Sequence, residues 1–525
     1  MDGIRGTQTA APGRGTSPAG GRDPGAQGDQ APTVGQEDPR YWYLNTRGLN
    51  RRLSGAPATI AQPYSTEQLR RAVQDAVTAG RRIAVRSGGH CLAALVDNPE
   101  VQALIDVSQL NAVAYDPAHR AFSVESGAML GEVYKRLYGR YGVVVPGGTC
   151  PTVGIGGYVL GGGFGAMCRR HGLVVDHLYG VETVVVDASG QARTVLATRD
   201  PEDPHHDLWW AHTGAGGGNF GVVARFLFRS PGAEGADPAR LLPAPPAACR
   251  IAQVDWSWEE VTERDFARLL GNHGRWHAEN SGVDTEHDTL YSSLTLTSRA
   301  GGRLSLAAQL DGSLPDAEER MRSYLAALTA GMRAAGKVTE RTTPWMAGVL
   351  ASLYAALPAG ANRYTGTGAY LRRPFTPEQV ATLYRHLSDP DYDGIGTVDI
   401  LSCGGRVNAV DPAATVCAQR DSILKVFLGC AWGDAAADAR HARWVREFYR
   451  DLYAHTGGVP VPDGATDGSY INYPDAGLAD PEWNTSGVPW HTLYFKGNYA
   501  RLQQVKRRYD PGDRFRHALS VRLPD

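Results

Sequence analysis

The chain has 525 residues and a mass of 56.4 kDa, with 42% apolar and 21% charged residues. That composition excludes wholesale disorder, and at roughly 100–200 residues per domain the length predicts two or more domains. With 53 Lys and Arg against 55 Asp and Glu the net charge is −2, so nothing electrostatic points to nucleic acid or an anionic membrane as partner.

Residues 1–40 are rich in Gly, Ala, Pro, Gln and Thr and hold no run of large apolar residues. They are expected to form a disordered leader, with the folded body starting near Tyr41. The first residues lack the apolar core of a secretory signal, and no stretch reaches the roughly 18 apolar residues of a membrane span. From Ser65 the pattern predicts a helix, with Ser65 and Gln68 as a capping box and Gly80 as its stop. Strands are expected over 82–86, 101–107 and 121–125, a helix over 128–141, a hairpin over 181–197 and a strand over 222–229. The proline-rich segment 241–247 reads as a linker. Beyond it, helices over 261–272, 315–334, 376–387 and 435–453 separate strands over 290–298, 303–310, 397–403 and 422–429. This predicts an α+β protein with a separate antiparallel sheet covered by helices over 235–465. The last stretch, 466–525, with a strand-like end, reads as a return to the first domain.

Seven cysteines, at 91, 150, 168, 249, 403, 417 and 430, include no CxxC pair. A disulfide framework or a cysteine-built zinc site is not expected, and a reducing cytoplasm is the default location. His205, His206 and His212 read as capping and core residues rather than a metal site, and no metal is expected. Glycine is the outlier, at 63 residues against a usual share of about 7%. Gly216–Gly221 fits GxGxxG, but a strand rather than a helix is expected after it, which argues against a dinucleotide site of the Rossmann kind. A P-loop signature is absent. Two other stretches are more specific: Arg86-Ser87-Gly88-Gly89-His90-Cys91, and Gly147-Gly148-Thr149-Cys150-Pro151-Thr152-Val153-Gly154 running on into IGGYVLGGGFG. They read either as two tight turns or as a backbone nest for a pyrophosphate with two nucleophiles aimed at a ring.

RSGGH, GTCPTVGIGG and YINYPD together resemble the berberine-bridge-enzyme-like branch of the vanillyl-alcohol-oxidase flavoproteins, from about residue 42 to the end. DPHHDLWWAHTGAGGGNFGVV, DPAATVCAQRDSILKV and NTSGVPWH are most similar to bacterial natural-product oxidases, such as the hexose oxidases of glycopeptide antibiotics. The resemblance implies a two-part FAD-binding domain, over 41–234 and 466–525, around a substrate domain. It implies FAD attached twice, through His90 to the 8α-methyl and through Cys150 to C6, which would raise the flavin's potential and hold it in an open cleft. Cys91 is then structural. The cofactor would also meet Arg86, Ser87, Gly88, Gly89, Thr149, Val153, Gly154, Gly157, Gly162 and Gly163. Asn219, Gly221, Val222 and Asn472 complete that set.

Tyr473 of the YINY element is the implied base, with Tyr470, Tyr370 or Tyr453 as partners that lower its pKa from the usual 10 or so. Tyr158 stands where many relatives have histidine, Phe164 stands where the hexose-oxidase-like proteins often have tyrosine, and the acidic residue usual after GGHC is missing. The small Thr149 implies access for oxygen. The expected activity is oxidation of a hydroxyl on a sugar or other bulky secondary metabolite, with hydrogen peroxide released. The expected partners are that small molecule and O2, and the chain is expected to be a monomer or homodimer. The alternatives are oxidative C–C or ring closure, and a flavin-bearing binding protein without turnover.

Overall fold

A computed structural model describes residues 28–352 and 360–525. Its first domain holds two sheets. β1 (Thr33–Gly35), β2 (Thr59–Ala61), β3 (Ile83–Arg86) and β4 (Ala103–Asp106) run in the order β1-β2-β4-β3, parallel except for β1. β5 (Val113–Asp116), β6 (Ala121–Glu125), β7 (Leu178–Val186), β8 (Ala192–Thr198) and β9 (Val222–Phe228) form an antiparallel sheet in the order β5-β6-β9-β7-β8. The helix Thr66–Thr78 joins them, because Leu69 and Val73 share one buried cluster with Ile105 of β4 and with Val184 and Val222 of the second sheet. Ser65 Oγ caps that helix by accepting the Gln68 N–H at 3.2 Å, while the Gln68 side chain reaches back to the Tyr64 N–H at 2.9 Å. Gly80 ends it at φ +65°, a conformation open mainly to glycine.

The leader needs correction where it is described. Residues 1–27 lie outside the described residues, but β1 already pairs with β2, so ordered chain begins before Tyr41. Three residues of strand are too short for an alternation to reveal them.

The second domain is built on a seven-stranded antiparallel sheet. β10 (Ala248–Ser257), β11 (Tyr291–Thr297), β12 (Arg303–Asp311), β13 (Lys337–Pro344), β14 (Arg363–Leu371), β15 (Ile395–Ser402) and β16 (Leu424–Trp432) run in the order β13-β10-β12-β11-β15-β16-β14. Side chains alternate between its faces. Leu294, Leu296, Leu304, Leu306, Val398, Ile400, Val426 and Leu428 are buried on one face, under helices Glu263–Asn280, Ala317–Thr329, Pro377–Ser388 and Asp438–Leu452. Each such side chain contributes about 1.5–3 kcal/mol by leaving water. The register places Ser293, Leu401, Lys425 and Tyr370 in one row across the opposite face, and Thr295, Asp399, Phe427 and Gly368 in the next. That face mixes hydroxyl and charged groups with Leu401, Phe427 and Tyr370, is half-exposed at Ser293, Thr295, Asp399 and Phe427 and buried at Lys425 and Tyr370, and it looks toward the first domain's glycine loops.

The chain then returns to the first domain. Gly468 O accepts the Tyr370 N–H at 2.9 Å, and the segment 469–473 crosses to the glycine loops. Asn219 Oδ1 accepts the Val521 N–H at 2.8 Å, and His517 Nε2 lies 2.9 Å from Gly217 O. The strand-like end is not found: helices Trp490–Phe495 and Tyr499–Tyr509 precede it, residues 511–525 have no helix or strand, and no strand lies among residues 466–525. Among the described residues, no helix is long and apolar enough to cross a membrane.

Candidate active site

The two glycine stretches meet backbone to backbone. A Cβ on Gly88 would fall 2.2 Å from Gly154 N, and one on Gly154 would fall 2.1 Å from Ser87 Oγ. Only glycine permits that approach. Ser87 Oγ donates to Ser126 O at 2.7 Å and fixes the first loop where it leaves β3. The contact brings two nucleophiles together: His90 Nε2 lies 3.0 Å from Thr152 Oγ1, and Cys150 Sγ lies 3.6 Å from the same hydroxyl. Cys150 and Thr149 are exposed and His90 is half-buried, with partial burial holding its imidazole below the usual range and so neutral. Gly157 is exposed, with nothing within 4 Å of the place its Cβ would take. Beyond the loops a cleft continues past Arg47, Ser108, Gln109, Asn111 and Arg136. A flat ring between His90 and Cys150 and a charged, hydrogen-bonding tail in that cleft describe the shape and chemistry of FAD, so the residues present fit the cofactor.

Tyr158 explains its own departure from the relatives. Its hydroxyl accepts the Gly148 N–H at 2.7 Å and donates to Phe164 O at 2.8 Å, clamping the Cys150 loop to the segment that follows. Cys91 Sγ donates to Ala93 O at 3.2 Å, and burial pushes its thiol up, so it is neutral.

Asn472 docks the last wall of the site by donating to Tyr158 O at 2.9 Å and Tyr470 Oη at 3.0 Å. Asp467, fully buried, anchors the start of that turn through Arg372 at 2.6 Å and Ser422 at 3.0 Å. Tyr473 lies over the row containing Phe427 and Gly368. Its ring is 4.8 Å from that of Phe427, and a Cβ on Gly368 would strike it at 2.6 Å. Tyr470 stands edge-on to it at 5.2 Å, and Tyr370 stands edge-on to Tyr470 at 6.0 Å.

The residue that sequence reasoning missed is Lys425. Its Nζ donates to Tyr473 Oη at 3.2 Å and sits 4.3, 4.0 and 4.4 Å from the ring centres of Phe164, Tyr470 and Tyr473. Burial pushes the amine down to about 7, while the three ring faces favour its charged form. Burial pushes the Tyr473 phenol up, and those of Tyr470 and Tyr370 as well. Neither tyrosine lowers the Tyr473 pKa; the cation beside it is a lysine. The signal was present in the sequence: a lone lysine in the apolar run Ile423–Gly429 must find a partner once buried.

Several of the residues expected to meet the cofactor also make contacts within the protein. Arg86 is buried, with its guanidinium held by Asp97, Asp106 and the carbonyls of Leu44 and Asn45, so it braces the loop from behind. Gly162 and Gly163 have positive φ, and their Cβ positions run into Cys417 at 2.5 Å and Val174 at 2.6 Å; protein packing requires them. Asn219 is buried and spends its amide on Ala215, Gly216 and Val521. Gly221 packs against Val184 O, and Val222 opens β9. Val153 O accepts the Leu130 N–H at 2.9 Å, so its backbone ties the Cys150 loop to the helix Leu130–Tyr141. Tyr453 packs on Tyr449 at 4.9 Å, away from the Tyr470–Tyr473 pair. His205 meets Tyr509 at 2.9 Å, His212 Nδ1 lies 2.7 Å from Leu208 O, and the His206 ring packs at a tilt against Trp209 at 5.1 Å. No metal-binding group of His, Cys, Asp or Glu exists among the described residues.

The fold and this site define an FAD-dependent oxidase: residues 57–195 match the FAD binding domain family, and residues 469–522 match the family "berberine and berberine like". The chain belongs to the berberine-bridge-enzyme-like flavoproteins of the vanillyl-alcohol-oxidase superfamily. It is 52% identical to the aclacinomycin-N/aclacinomycin-A oxidase of Streptomyces galilaeus, over 94% of this chain and 90% of that protein. The crystal structure of aclacinomycin oxidoreductase superposes with a TM-score of 0.92 at 51% identity, covering 94% of this chain and 100% of that one. The glycopeptide hexose oxidase complexed with teicoplanin follows at a TM-score of 0.89 and 45% identity, covering 94% and 99%.

Proposed function

We propose that the chain is a bicovalent FAD oxidase that oxidises a hydroxyl-bearing carbon of a sugar on a bulky natural product. The observation that carries this reading is the meeting of His90 and Cys150, from loops far apart in sequence, at the hydroxyl of Thr152. His90 would bond the 8α-methyl and Cys150 the C6 position, so that one edge of the ring is held from two sides. The substrate class follows from two supports: the relatives named above, and the wide hydroxyl-bearing sheet face that stands opposite.

Tyr473 and Lys425 act as one base. Tyr473 Oη takes the proton of the substrate hydroxyl as its own phenolic proton passes to the neutral Lys425 amine along the line of the contact that already joins them. The pair therefore titrates as a unit, and no free phenolate has to form. FAD held by His90 and Cys150 would supply the acceptor for the hydride of the same carbon, with O2 as the final oxidant and hydrogen peroxide as its product. Asn472 and Asp467 hold Tyr473 in place, and the small Thr149 leaves an approach for oxygen beside Cys150.

The test is the mass and colour of denatured protein. Acid-precipitated protein should stay yellow, and its mass should exceed the chain by one FAD. Cys150→Ala should keep flavin through His90, and only the double variant with His90→Ala should release all of it. Complete release from the wild type would overturn the reading.

A further inference from the structure

One hydroxyl stands between the two nucleophiles of the glycine-loop wall. Thr152 Oγ1 lies 3.0 Å from His90 Nε2 on one side and 3.6 Å from Cys150 Sγ on the other. The backbone holds Thr152 at that place from three directions. Pro151 O accepts the Gly131 N–H at 3.0 Å, Val153 O accepts the Leu130 N–H at 2.9 Å, and a Cβ on Gly88 would fall 2.8 Å from Thr152 O. A hydroxyl is donor and acceptor at once. Between a thiol and a neutral imidazole it can take a proton from the first while giving its own to the second.

The neighbouring titratable groups cannot do this. Tyr364 of β14 interacts electrostatically with both Cys150 and Cys91, but burial pushes its phenol up and the Cys91 thiol up, so both keep their protons. Arg86 and Asp97 pair with each other behind the loop, at 3.3 Å. His90 is held neutral by partial burial. With its Nε2 turned to Thr152, the nitrogen left for the 8α-methyl carbon is Nδ1, and a bond there leaves Nε2 its lone pair. We propose that Thr152 is a proton relay for the attachment of flavin: its hydroxyl accepts the thiol proton of Cys150 and passes its own to His90 Nε2, leaving a thiolate to bond C6. The inference rests on the reading of His90 and Cys150 as the two attachment points. The thiolate, not the thiol, is the nucleophile in such reactions. In sum, the S–H and C6–H bonds break and the S–C6 bond forms. The two protons and two electrons released reduce O2 to hydrogen peroxide.

The experiment adds FAD, in air, to the full chain made in riboflavin-starved cells, and stops samples in denaturant with iodoacetamide. A protease digest shows by mass whether the His90 peptide, the Cys150 peptide or both carry flavin, and alkylation counts free Cys150. The wild type should end with both peptides joined through one flavin. Thr152→Val keeps the shape without the hydroxyl. Joining of Cys150 should slow by about 10²-fold, the lower end of general acid–base catalysis, while the His90 bond forms within about threefold of the wild-type rate. Protein purified from flavin-replete cells should likewise show more alkylated Cys150 in this variant. Thr152→Ser should restore the rate, and raising the pH, which supplies hydroxide as another acceptor, should shrink the Thr152→Val deficit. His90→Ala should slow the Cys150 bond to a similar degree, and adding Thr152→Val to it should slow it little further, because both remove the same relay. A Thr152→Val chain that joins Cys150 at the wild-type rate overturns the inference. So does one that slows both bonds equally at every pH, which would make Thr152 a packing residue of the loop. Flavin on neither peptide of the wild type would instead overturn the covalent reading itself.

Discussion

The two walls of the site are built on opposite principles. On the glycine-loop wall, His90 and Cys150 are turned outward, and the backbone behind them is packed so closely that no side chain fits between Gly88 and Gly154. On the Tyr473 wall, the reactive groups are turned inward, and Lys425 is almost fully buried among three aromatic rings. The first wall sets positions and leaves chemistry to a ligand. On the second, loss of water pushes the amine's pKa down and the phenol's up, and the hydrogen bond between them couples the two. A substitution on the first wall should therefore change what is held, and one on the second should change how fast and at what pH it reacts.

The sharpest way to break this division is Tyr473→Phe. It keeps the ring that packs on Phe427 and Gly368, so the protein should fold and carry flavin normally. Flavin reduction followed by stopped-flow absorbance should slow by about 10²–10⁴-fold, the usual worth of a general base, with substrate affinity little changed. Reduction at the wild-type rate would move the base elsewhere, with Tyr370 the next residue to test.

Lys425→Met comes next, with an expected loss of about 10–100-fold in reduction rate. Its signature is the pH profile. In the wild type the rate should rise as pH passes about 7, where the buried Lys425 amine loses its proton and can accept that of Tyr473. Without the amine, Tyr473 stands alone with a pKa raised by burial, so the rise should move to higher pH. A profile that keeps its inflection near 7 would remove Lys425 from the reaction.

The smallest effect on rate, and the one confined to the first wall, is that of Gly154→Ala. The added methyl group meets Ser87 Oγ and Gly88 N, so the loops must separate, at a cost of about 1–3 kcal/mol for overpacking. Mass spectrometry should show a fraction of chains without flavin, while flavin-loaded molecules retain an inflection near pH 7. A fully loaded variant would mean that the loops yield more easily than their contact implies.

The first wall was far more legible in the sequence than the second. RSGGH and GTCPTVG name their residues directly, since a nucleophile flanked by glycines carries its local geometry with it. The Ser65 cap, the Gly80 stop and the 181–197 hairpin were legible for the same local reason. Lys425 was not, because its role exists only when β16 is central, Phe164 comes from the first domain and Tyr473 comes from the return segment. Strands β13 and β14 also escaped notice. β13 is an exposed edge with almost no apolar residue to alternate, and β14 contains Gly366 and Gly368, which resemble a loop until Phe427 and Tyr473 occupy the space beside them. Arg86 and Asn219, which adjoin glycine loops and which the resemblance implies meet the cofactor, spend their side chains on the protein's own groups. A side chain next to such a loop can serve the protein behind it just as well.

The ties between Asn219 and Val521, and between Tyr158 and Asn472, bear on the order of assembly. Each joins the first domain to residues that the chain reaches only after the whole seven-stranded sheet. During synthesis the glycine loops are made early but wait, with their far wall missing, while the second domain folds. Contacts of such long sequence separation form slowly, so the wall of Tyr473 and Lys425 closes late. A newly made chain passes through a stage in which the His90 and Cys150 loops exist while Lys425 and Tyr473 have yet to be translated.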